Sequence, residues 1–215
     1  QHWAKEGPTS AKVLLPELKP QVLTLAPIYL PDDGIENFVK LMSETNPTCR
    51  VLIQEFWLPF DVYNLNYKKE KVSAPQRDQT DMAKLTADHE AYFKSMDDHI
   101  RELNAKYEGK PQVGVTPVGQ AVLALRKAVV AGTAPGIEKQ SELFTDAIGH
   151  CTAAIKVLNA YTHYAVIYGR SPVGLPVPKS LGTFKDEATT AKLNTLLQEI
   201  AWDAATAHPL SGVKK

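Results

Sequence analysis

No apolar run in the chain approaches the ~18 residues that a membrane-spanning helix needs, so no span is expected. Neither sign of charge is in excess. With 24 basic against 24 acidic residues, nothing in the composition calls for nucleic acid or an anionic surface as partner. Cysteine is scarce. Cys49 and Cys151 lie far apart and fit no zinc spacing, so two buried free thiols are expected rather than a disulfide framework. There is no Gly-rich phosphate loop, since "DDG" and "PVGQ" read as turn and cap signals. There is no internal repeat and no low-complexity tract. No cofactor or metal is expected. The chain opens at Gln1 without an initiator methionine, a secretory n-region or an h-region. It is therefore read as a processed, trimmed or partial product. Its compartment stays open, with secreted and periplasmic locations both included.

What is present suits a globular α/β domain. The 215 residues are 44% hydrophobic, enough for one substantial core, and one domain over 1–215 is expected. Residues 1–16 carry a loose amphipathic pattern (Trp3, Val13, Leu14, Leu15) ending at Pro16. The run 21–30 opens as a buried strand of about five residues. "PDDGIENFVKLMSETNP" reads as a helix capped by Asp32 or Asp33. Ile35, Phe38, Val39 and Met42 share one face, and Pro47 stops it. A second strand is expected over 50–56, followed by a long polar connection over 57–80. A helix fits 80–106, with Met82, Leu85, His89, Phe93, Met96, Ile100 and Leu103 recurring at threes and fours. "QVGVTPV" is a third strand. A helix over 118–131 follows, with Val122, Leu125, Val129 and Val130, and Gly132 closes it. Two more helices are expected over 153–168 and 186–207, separated by the proline-rich turn "GRSPVGLPVPKSLG".

Strand and helix alternate three times, which predicts a parallel sheet with right-handed crossovers, as in a three-layer α/β/α fold. In open sheets of this kind, sites form beyond the carboxyl ends of the strands. Three segments are expected to line the crevice: 27–33 with Tyr29, 57–67 with Trp57 and Tyr63, and 117–120. The aromatic stretch "EFWLPFDVYNLNY" suits a wall that stacks on a sugar or aryl group. It suits a hydrophobic core equally.

The chemistry centres on "LFTDAIGHCTAAIK". A neutral imidazole at His150 can take a proton from a hydroxyl and return it to a leaving group. It needs a third group to hold its other ring nitrogen. Asp146 is the nearest acid and Glu142 the second. The competing account is that Asp146 caps a turn and His150 is a polar residue at a helix start. No serine stands in a Gly-flanked strand-to-helix elbow. Ser10, in "GPTSAK", comes nearest in character, but no strand precedes it. Cys151 adjoins His150, yet neighbouring side chains diverge. His89 and His163 read as core histidines, and His89 and His99 are too far apart on one helix to share an ion.

"LFTDAIGH", the helix and turn "AIKVLNAYTHYAVIYGRSPVGLP" and the earlier "VLTLAPIYLPDDGIENFVKL" together resemble the SGNH/GDSL-type serine hydrolase superfamily. The likeness is to a bacterial branch ending in "YGRSPVGLP" and a final "LQEIAW" helix. The resemblance implies a flavodoxin-like sheet and hydrolysis of acyl or acetyl esters, those of carbohydrates included. It implies His150 as general base and Asp146 as its acid partner, with Trp57, Tyr63 and Tyr29 toward the substrate. The superfamily's acid usually stands three places before the histidine, where this chain has Ala147. Its nucleophile block on a first strand has no counterpart here. The resemblance thus implies a chain that begins after that strand and leaves a sheet edge to be covered by a second polypeptide, a partner copy or a rearranged N-terminus. A non-catalytic carbohydrate- or protein-binding module that retains the fold is the alternative expectation.

Overall fold

The computed structural model describes residues 3–27, 30, 32–61 and 71–215. In chain order the elements are α1 (Ala11–Leu18), β1 (Val22–Leu25), α2 (Asp33–Thr45), β2 (Arg50–Gln54), α3 (Ala74–Asp78), α4 (Met82–Lys106), β3 (Gln112–Thr116), α5 (Val118–Val130), α6 (Ala153–Tyr168) and α7 (Glu187–Ala207). A 3-10 turn, Gln140–Leu143, precedes α6. The fold is mixed α/β with a three-stranded parallel sheet, the class that the alternating pattern predicts and a composition consistent with a three-layer α/β/α fold. The chain forms two compact units. One comprises Gln1–Glu55 and Phe93–Thr116, the other Phe56–Tyr92 and Pro117–Lys215.

The first unit holds the sheet, in the order β1-β2-β3. Val51 of β2 sits opposite Leu23 on one side and Val113 on the other. Central position explains composition: Val51, Leu52 and Ile53 are all buried, as expected for a parallel strand covered on both faces. β2 ends at Gln54, two residues short of the expected 50–56. The Glu55 N–H still donates to the Thr116 carbonyl at 3.0 Å. α2 starts where the acids predict. Asp32 accepts from the Gly34 N–H at 2.8 Å. Ile35, Phe38, Val39 and Met42 are its buried face. Burial of each is worth ~1.5–3 kcal/mol, so packing rather than propensity holds this short helix.

One expectation changes in this unit. Pro16 does not end the first amphipathic segment, because α1 runs on to Leu18 and closes at Lys19 in the left-handed region. An eight-residue helix loses one backbone bond to an internal proline and keeps the rest. On the outer edge of β3, Val113 is met by a side chain of the same unit. The side chain of Asn104 donates to the Val113 carbonyl at 2.8 Å and accepts from the Val113 N–H at 2.9 Å. Among the described residues, no strand pairs with the outer edge of β1.

The second unit is a helical assembly in which α5, α6 and α7 pack on one another. Leu125 and Val129, Ile155 and Leu158, and Leu193 and Leu197 meet in its core. Two side chains of α7 fasten the proline-rich turn: Asn194 donates to the Leu175 carbonyl at 3.3 Å, and Gln198 makes two bonds. Gln198 donates to the Leu175 carbonyl at 2.8 Å and accepts from the Gly174 N–H at 3.1 Å. The long connection holds a helix that periodicity missed: α3, five residues long, opens with a capping box between Ser73 and Gln76. Both cysteines are free thiols.

Candidate active site

The segment joining the 3-10 turn to α6 doubles back on itself. Phe144 and Cys151 form an antiparallel bridge, the Thr152 N–H donates to the Leu143 carbonyl at 3.1 Å, and the Thr145 N–H donates to the His150 carbonyl at 2.8 Å. Asp146 begins the tip. Its Oδ1 accepts from the Ile148 N–H at 3.1 Å and from the His150 N–H at 3.2 Å, the pattern by which aspartate stabilises a turn. Its Oδ2 lies 2.5 Å from His150 Nδ1. Asp146 therefore caps the turn with one oxygen and orients the imidazole with the other. The two accounts of this pair hold together.

Contacts from the segment before α3 secure the turn. Gly149 has φ +82°, and a Cβ there would lie 2.4 Å from the Pro59 carbonyl oxygen. Only glycine fits both the conformation and the space. The Trp57 indole N–H donates to the Gly149 carbonyl at 2.7 Å, and the Val72 N–H donates to the Ala147 carbonyl at 2.8 Å. Trp57 is thus half-buried with its polar atom committed, a brace for the turn. Tyr29 and Tyr63, the other two expected substrate contacts, lie outside the described residues.

The electrostatics follow from these contacts. The hydrogen bond from the His150 ring, helped by the two turn amides, holds the Asp146 carboxyl below its usual range. A hydrogen bond to a carboxylate favours the Nδ1–H tautomer, which leaves the lone pair on Nε2. The ring is 64% exposed and Asp146 40%. Glu142, the second candidate acid, instead accepts from the Glu138 N–H at 2.9 Å.

No described serine hydrogen-bonds to His150. Ser211 is buried against the Ala205 carbonyl, Ser141 donates to Asp78, and Ser73 is engaged with Gln76. Ser10, buried at the start of α1, belongs to the other unit. Cys151 is no nucleophile, because burial pushes its thiol up to about 12. His89 is fully buried, with its Nδ1 2.8 Å from the Leu85 carbonyl. Among the described residues, no group of three His, Cys, Asp or Glu can hold a metal ion.

Of the three segments expected to line a crevice, the first does border one. Pro27 and Asp32 line a cavity of about 430 Å³ in the first unit, at the carboxyl end of β1, with Trp3, Leu25, Ile35 and Phe38. Residues 117–119 are buried at the start of α5 and offer no open lining. Sequence reasoning passed over a buried cluster of Arg77, Arg126 and Asp61 in the second unit. One signal was available: Arg126 lies four residues after Val122 and three before Val129, on the apolar face of its helix. Comparison with protein-family models, with curated proteins and with solved structures finds no match.

Proposed function

We propose that Asp146 and His150 form the acid–base half of an SGNH/GDSL-type ester hydrolase acting on acyl or acetyl esters, those of carbohydrates included. The observation that carries this reading is an exposed imidazole held at Nδ1 by a carboxylate. In that state Nε2 takes the proton of an attacking hydroxyl as its oxygen adds to the ester carbonyl. It then gives the proton to the departing alkoxide. Asp146 fixes the tautomer and stabilises the imidazolium that forms between these steps. The attacking hydroxyl comes from outside the present partners of His150.

The test is hydrolysis of p-nitrophenyl acetate by the full-length native protein, with His150→Ala and Asp146→Asn beside it. Each substitution is expected to lower kcat by roughly 10³-fold or more. Labelling with a fluorophosphonate, followed by peptide mapping, would then identify the serine. Wild-type turnover in His150→Ala would defeat the proposal.

One observation favours the second reading, a carbohydrate- or protein-binding module that retains the fold: none of the described serines is a partner of His150. That module would show no hydrolysis in the full-length protein while still binding an oligosaccharide, by calorimetry, with unchanged affinity in His150→Ala.

A further inference from the structure

Two arginines and one aspartate meet inside the second unit. Arg77 of α3 is 1% exposed and Arg126 of α5 is 0% exposed. Arg126 donates from Nη1 to Asp61 Oδ1 at 2.9 Å and from Nε to Gln140 Oε1 at 2.8 Å. Arg77 donates from Nη2 to the Pro59 carbonyl at 2.8 Å, and its Nη1 lies 3.6 Å from the same Asp61 Oδ1. The ring of Phe144 faces both guanidinium groups, with their central carbons 4.0 Å and 5.8 Å from its centroid. The other oxygen of Asp61 accepts from the Thr80 hydroxyl.

This arrangement is short of acceptors. Nε and Nη1 of Arg77 and Nη2 of Arg126 are buried without a hydrogen-bond partner. Such donors are rare in folded proteins, and each one calls for an explanation. Among the described residues, the arrangement is also short of negative charge. Guanidinium groups stay protonated, so two positive charges face one carboxylate at contact. Nearby groups do not close the gap. Burial pushes the His89 imidazole toward its neutral form, so it adds no further positive charge. Asp146 acts on Arg77, but it lies on a turn and is 40% exposed, where solvent screens its charge. A buried water would satisfy the donors and leave the charge. An unpaired buried charge is among the costliest defects a core can hold.

We propose that Arg77 and Arg126 bind one compact monovalent anion, of chloride or formate size, inside the second unit. A single negative charge is what the cluster lacks. Small size follows from burial, because all three unmet donors are fully enclosed and a small monovalent ion is cheaper to desolvate there than a tetrahedral dianion. The proposal does not rest on the reading of His150 as a general base.

The experiment uses the full chain in gluconate buffer, titrated with chloride, bromide, formate or sulfate at fixed ionic strength while thermal unfolding is followed. Binding to the folded state alone should raise Tm in step with ln(1 + [anion]/Kd), by about 5 °C at roughly thirtyfold excess over Kd for chloride and formate. Sulfate should have no such effect. Crystals soaked in bromide should give an anomalous peak between the two guanidinium groups. Arg77→Lys keeps the charge but not the donor geometry, so the apparent Kd from the same titration should rise about tenfold. Three results would overturn the site: no logarithmic rise in Tm with any small anion, an equal rise with sulfate, or bromide peaks only elsewhere. The wild-type titration and the bromide map need no variant, so a misfolded Arg77→Lys protein would leave them decisive.

Discussion

Gly149→Ala probes how firmly the His150 turn is pinned. At φ +82° the backbone sits where an alanine is strained by ~1 kcal/mol. The added Cβ would lie 2.4 Å from the Pro59 carbonyl oxygen, 2.5 Å from Pro59 Cβ and 2.6 Å from Pro59 Cα. Two of these three atoms are backbone, so no rotamer change relieves the clash. Overpacking of this kind costs ~1–3 kcal/mol. The smaller entropy of the unfolded alanine chain returns ~0.4–1 kcal/mol. The net loss is about 2–3 kcal/mol, or a fall in Tm of roughly 6–9 °C for a chain of this size.

Gly132→Ala supplies the control. Gly132 has φ +69° and no heavy atom within 4 Å of where a Cβ would stand. It bears the backbone strain and the entropic return but no clash, so its Tm should fall by at most about 3 °C. Thermal melts of the two variants, followed by circular dichroism, separate conformational strain from contact with Pro59. Equal shifts would mean that Pro59 does not hold the turn, and the orientation of His150 would then need another cause.

Two further outcomes can be measured directly. The Cys151 thiol, held neutral by burial and pushed up to about 12, should react with iodoacetamide at pH 8 roughly 10³-fold more slowly in the native chain than in urea. Because this pKa is raised on folding, its stabilising contribution is complete below the unfolded value near 9 and is lost as pH climbs from there toward 12. Cys151→Ala should flatten that alkaline loss, and an unchanged slope would discount the burial. In the first unit, Asn104→Ala leaves both the N–H and the carbonyl of Val113 without their partner. Urea unfolding should show a loss of about 3 kcal/mol, and a loss below ~1 kcal/mol would mean that water replaces Asn104 at the strand edge.

Signals confined to one element were legible in the sequence. The face of α2, the cap at Asp32 and the buried run of β2 all follow from spacing within some dozen residues, and the chain adopts them. Features that depend on distant partners were not. Asn104 on the edge of β3, Trp57 on the Gly149 carbonyl, and Arg126 on Asp61 join positions 9, 92 and 65 residues apart. Periodicity reports which face a side chain occupies but not which polar group will stand opposite it. That is why "EFWLPFDVYNLNY" read equally well as core and as binding wall, and why the indole of Trp57 turned out to serve the turn.

The Asp146–His150 pair is the exception among polar features, because both partners lie within one turn of chain. Yet spacing alone posed a choice between a cap and an acid–base pair that the carboxylate does not have to make. A single aspartate oxygen can close a turn of this size, since two amides converge on it. The second oxygen is then held where the imidazole of the same turn must meet it. The cap is what orients the acid. Removing the turn amides' acceptor and removing the partner of Nδ1 are one and the same lesion, so Asp146→Asn separates them better than Asp146→Ala. Asparagine keeps an oxygen for the amides and changes only what faces the ring.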